Sequence, residues 1–142
     1  MLSAKLFGAL GAVVFAVAIL GRYGILPFAP MGLGISGVAY GPFYWQTFSA
    51  VVCAALALSY LAIARTATHP PNRLAGIVSF ALVALALSTM IVESLFSDRL
   101  FQRFEFMVWL FFAAMFAFLV GVILSALTLA WAVFRQALPA SN

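Results

Sequence analysis

Charge is what this sequence has least of. Of 142 residues, seven are Lys or Arg, three are Asp or Glu and one is His. A water-soluble domain of this size needs far more polar side chains to cover its outside. With 67% hydrophobic residues, the chain has to be solvated by lipid instead. Cysteine is equally scarce. Cys53 is the single one and lies in an apolar run, so it forms no internal disulfide and reads as a small core residue. The single histidine, His69, lies in a polar turn, and a membrane haem held by two of the chain's own histidines is excluded. One His, one distant Cys and no carboxylate cluster make no metal site. No nucleophile–base pair stands out, so neither a cofactor nor enzymatic activity is expected. The net charge of +4 comes from cations scattered between apolar runs, which form no basic face for nucleic acid.

What is present is a series of apolar runs, and about 20 apolar residues cross the hydrocarbon core as a helix. The expected spans are Leu6 to Leu26, Thr47 to Ala64, Leu74 to Leu95 and Phe106 to Phe134. Pro27 and Pro30 are expected to stop the first, and Arg65 marks the exit of the second. Between them, Pro27 to Gln46 is rich in Gly and Pro and reads as a loop along the interface. Thr66 to Arg73, with Pro70-Pro71, reads as a short turn. Lys5 followed by an apolar stretch has the look of a signal peptide, and Ala16-Val17-Ala18 resembles a cleavage site. That triplet lies inside the run rather than after it, so a retained span is expected. The expectation is therefore a single domain over residues 1–142, an all-α integral membrane protein built as a four-transmembrane-helix bundle with short loops.

With four spans, Lys5, Arg65, Arg73 and Arg135 fall on one side and Arg22, Arg99 and Arg103 on the other. The excess of one cation leads to the expectation that both termini are cytoplasmic, and the membrane expected is a bacterial-type inner one. Aromatics mark the same boundaries. Tyr40, Phe43, Tyr44, Trp45 and Trp109 form one belt, and Tyr60 and Trp131 lie near the other.

Small residues recur every four positions in two spans: Ala4, Gly8, Ala12 and Ala16 in the first, and Ala113, Ala117, Gly121 and Ser125 in the last. Such stripes let membrane helices approach closely, either within the bundle or against another subunit. Phe111, Phe112, Phe116 and Phe118 flank the second stripe. Glu93 is the one acid inside a span, a candidate for carrying a proton or a cation, or else an interface residue paired with Arg99 or Arg22. Gly32-Leu33-Gly34-Ile35-Ser36-Gly37 spells the dinucleotide-binding pattern but lacks the strand, helix and later acid that the pattern requires. Its glycines read as a flexible connection.

Tyr40-Gly41-Pro42-Phe43-Tyr44-Trp45 follows the first span and leads into the second. The Pro70-Pro71 linker, Glu93 closing the third span and Pro139 after the last complete the layout. This resembles the small membrane subunit of the tripartite tricarboxylate transporters, although Gln46 stands where that family carries a further proline. The resemblance implies a subunit bound to a large multispan permease that works with a periplasmic binding protein on carboxylates such as citrate. Gly41 and Pro42 match as a structural element only. The expected function is a non-enzymatic small subunit that scaffolds a larger membrane complex, with multispan subunits and lipids as partners. The alternative is an accessory subunit of a respiratory or photosynthetic electron-transfer complex.

Overall fold

The computed structural model describes residues 1–26, 42–67, 70–100 and 104–137. They form four helices: α1 (Leu2–Arg22), α2 (Pro42–Thr66), α3 (Arg73–Leu100) and α4 (Phe104–Ala137). Each contains a stretch long and apolar enough to cross a membrane. Tyr40, Gly41, His69, Arg103, Pro139 and the glycines of residues 32–37 lie outside the described residues.

Local chemistry sets the helix ends, and it moves several of the expected boundaries. α1 starts four residues before Leu6 and ends at Arg22 instead of running on to Leu26. Gly24 is the reason. It adopts φ +72°, the left-handed conformation that glycine reaches without a Cβ penalty. Its N–H donates to the Gly21 carbonyl while the Ile25 N–H donates to Leu20, the paired bonds of a Schellman stop. α2 begins at Pro42, five residues before Thr47, so Pro42 is a helix-opening residue and not part of a loop. Proline suits that position because the first N–H of a helix has no intrahelical acceptor. α3 starts at Arg73, where Asn72 Oδ1 accepts from the N–H groups of Leu74 (3.0 Å) and Ala75 (3.4 Å). It continues to Leu100, so Ser97 to Leu100 of the charge cluster are helical. α4 has 34 residues, about 51 Å at 1.5 Å per residue, well beyond a hydrocarbon core of about 30 Å.

Side-chain contacts fix the topology. Phe7 stacks on Tyr60 (5.8 Å) and meets Phe80 edge-on (5.6 Å), which brings the starts of α1 and α3 beside the end of α2. Trp45 donates from Nε1 to Met90 Sδ (2.9 Å), and its ring lies 6.0 Å from that of Phe118. The start of α2 therefore sits level with the later part of α3 and the first half of α4. The helices run up, down, up, down, and α1 begins at the same end where α4 finishes. We call this the proximal end and the opposite one distal. α1 packs chiefly on α2 and α3 chiefly on α4, with slimmer α1–α3 and α2–α4 seams closing the bundle.

The buried positions of α1 are Ser3, Ala4, Phe7, Gly11, Val14 and Ala18. Those of α4 include Ala114, Phe118, Gly121, Ser125, Thr128 and Ala132. Steps of three and four alternate, an average of about 3.5 to 3.6 that keeps one face of each helix on its neighbours. The opposite faces are apolar too. Leu58, Leu74, Leu85, Trp109 and Phe116 are exposed, which suits lipid and not water.

Candidate functional site

The two small-residue stripes divide between the bundle and its outside. Ala4 is buried and Gly8 half-buried, while Ala12 and Ala16 are exposed. On α4, Ser125 and Gly121 are buried and Ala117 half-buried, while Ala113 is exposed. The geometry explains the split. A step of four residues turns about 400°, so a stripe at that spacing drifts about 40° per step around the helix. A seam of alternating threes and fours does not drift, and the stripes leave it. The glycine closest to α2 is Gly11, outside the stripe: a Cβ there would lie 3.1 Å from Cys53 Cβ and 3.2 Å from the Ala50 carbonyl oxygen. At Gly8 the nearest atom would be Ala57 Cβ at 3.8 Å, an ordinary contact. At Gly121 on α4, a Cβ would come within 2.7 Å of Val83 Cγ2 and 3.0 Å of the Ser79 carbonyl oxygen.

Glu93 lies inside the bundle, not at an exposed interface position. It is 5% exposed, and neither carboxylate oxygen has a hydrogen-bond partner. The side chain of Arg99, one of the two expected partners, falls outside those described. The Trp45–Met90 contact sets the surroundings. Gln46 follows Trp45 on α2, and Glu93 stands one turn beyond Met90 on α3, so both lie toward the distal end of the bundle. Gln46 is 4% exposed with Oε1 unpartnered, and the fully buried Ser49 also lacks a partner for Oγ. Sequence reasoning missed Gln46 and Ser49. The available signal was an amide in the first turns of a membrane helix, where polar side chains are costly unless paired.

Ser125 and Tyr60 also leave their hydroxyls unpartnered, whereas three other buried hydroxyls are satisfied within their own helices. Ser79, Ser94 and Thr128 donate to carbonyls of their own helices, at Ala75, Ile91 and Leu124. Between the distal polar group and the proximal serines, Val14, Cys53, Val83, Leu87 and Phe118 close the bundle with an apolar waist. Among the described residues, no three His, Cys, Asp or Glu side chains come together as a metal site.

The expected aromatic belts are half present. Tyr44, Trp109 and Trp131 are exposed near the helix ends. Arg135 places its guanidinium 5.3 Å from the Trp131 ring centroid. Trp45 and Tyr60 turn inward instead, Trp45 onto Met90 and Tyr60 onto Phe7.

These features define a multi-pass membrane protein of four apolar helices. Comparison with protein families, curated proteins and solved structures finds no match to this chain.

Proposed function

We propose that this chain is a non-enzymatic small membrane subunit that braces a larger assembly through its outer surface. Its most concrete form is the small subunit of a secondary carboxylate transporter in a bacterial-type inner membrane, with the proximal end cytoplasmic. The observation that carries the reading is the leftover part of each stripe. Once the bundle has closed, Ala12 and Ala16 of α1 and Ala113 of α4 are still exposed on the outside. Phe112 and Phe116 stand exposed beside Ala113. In lipid, helices associate through close backbone approach at small residues, and bulky neighbours supply the rim. The apolar waist supports the same reading, because Val83, Leu87 and Phe118 pack the interior with apolar side chains. The carboxylate form rests on the resemblance around Pro42, Pro70-Pro71 and Glu93 alone.

Leucine at Ala12 with Ala16, or at Ala113, tests the reading. These positions are exposed, so the bundle should keep its stability within about 0.5 kcal/mol. The variants should lose a larger subunit that co-purifies with the wild type in mild detergent. Retention by every variant would remove the outward stripe as the contact.

A further inference from the structure

At the proximal end, where α1 and α3 begin and α2 finishes, a cavity of about 460 Å³ opens between the helices. Ser3, Tyr60, Ala64, Pro71 and Arg73 are among its walls. Tyr60 is 4% exposed, yet its hydroxyl has no hydrogen-bond partner. Its ring is clamped against Phe7, so the hydroxyl cannot swing away to find one. Gly76 shows that Ser3 and Tyr60 converge. A Cβ on Gly76 would collide with Ser3 Oγ and lie 3.5 Å from Tyr60 Oη, so the two hydroxyls face the first turn of α3 together.

The two helix starts differ. Asn72 caps α3 through Leu74 and Ala75. α1 has no side-chain cap, which leaves first-turn N–H groups and the positive end of a 21-residue helix facing this region. Arg73 adds a full positive charge, and no acid lines the cavity. Hydroxyl donors, backbone N–H groups and a guanidinium together select an anion with several acceptor oxygens.

Depth selects which anion. The membrane-crossing stretches begin at Leu2 and Arg73 and end at Thr66, so the cavity lies at the level of lipid head groups. We propose that it binds the phosphate of an acidic phospholipid. Arg73 and the start of α1 hold the charge, Tyr60 Oη and Ser3 Oγ donate to its oxygens, and the apolar walls at Leu2 and Ala64 meet the glycerol region. The site does not depend on the bracing function, because the chain alone supplies every group.

The test uses the full chain in detergent, titrated with phosphatidylglycerol, phosphatidylcholine of the same acyl chains, or inorganic phosphate, and read by native mass spectrometry. One phosphatidylglycerol per chain should be retained, preferred over phosphatidylcholine about fivefold, the selectivity that one cation near an anionic head group supplies. Tyr60→Phe, which keeps the ring, and Arg73→Gln, at an exposed position, should each reduce that retention with helicity unchanged. Equal retention of the two lipids, or variants indistinguishable from the wild type, would overturn the proposal. So would inorganic phosphate displacing the lipid at matched concentration, which would assign the cavity to a soluble anion.

Discussion

Replacing Gly121 by alanine adds one carbon at a close approach between α3 and α4. That carbon would lie 2.7 Å from Val83 Cγ2, 3.0 Å from the Ser79 carbonyl oxygen and 3.2 Å from Leu82 Cβ. None of these atoms gives way easily. Val83 is fully buried, and a helical valine holds one strongly preferred rotamer. The carbonyl belongs to the helix itself. α4 must therefore move off α3, and overpacking of this kind costs about 1–3 kcal/mol. The better helix propensity of alanine returns at most about 1 kcal/mol. The net expectation is a loss of about 1–2 kcal/mol. Gly8→Ala provides the control, since its added carbon meets only Ala57 Cβ at 3.8 Å and should leave stability unchanged or slightly raised. Gly11→Ala, with contacts at 3.1 and 3.2 Å, should fall between the two. Thermal unfolding in mild detergent, followed by helicity, reads the order directly. Gly121→Ala as stable as the wild type, or Gly8→Ala as damaging as Gly121→Ala, would refute the packing described. It follows that leucine at Gly121 reports on the chain's own bundle and cannot by itself diagnose a partner contact.

Three further outcomes follow from named groups. Glu93 carries an unpartnered buried carboxyl, so Glu93→Leu should raise the unfolding temperature, in line with about 1–3 kcal/mol for removing an unsatisfied buried group. A clear drop would mean that the carboxyl is engaged in the native protein. Trp45→Phe removes the Nε1–Sδ hydrogen bond to Met90 and should cost about 1 kcal/mol beyond its packing loss. In a double-mutant cycle with Met90→Leu the two changes should be coupled, and strict additivity would show that the contact contributes nothing. Gly24→Ala places a Cβ at φ +72° and should fray the last turn of α1, seen as faster hydrogen exchange at the amides of Tyr23 and Ile25. Unchanged exchange would contradict the stop assigned to it.

The lipid-solvated character and the four helices were legible because scarcity of charge is a property of the whole chain. Boundaries were less so, since they turn on single backbone events. Gly24 stops α1 before Pro27 is reached, and Pro42 opens α2 although its Gly- and Pro-rich surroundings have the composition of a loop. The stripes show a second limit. Four-residue spacing is easy to see in a sequence, but the seam follows steps of three and four, so Ala12, Ala16 and Ala113 fell outside it and Gly11 was overlooked. Tyr60 and Trp45 show a third. An aromatic near a span end suits the interface and the interior equally well by composition. Only packing against Phe7 and Met90 decides it.

A bundle that acts through its outer surface should not be found alone. Native mass spectrometry of the chain extracted from its own membrane in mild detergent measures this most directly. The expected result is a stoichiometric complex between this 15.2 kDa chain and a larger multispan subunit, lost when Ala12 and Ala16 are both leucine. A chain that is only monomeric or self-associated, or a complex that the double substitution leaves intact, would contradict the proposed bracing role.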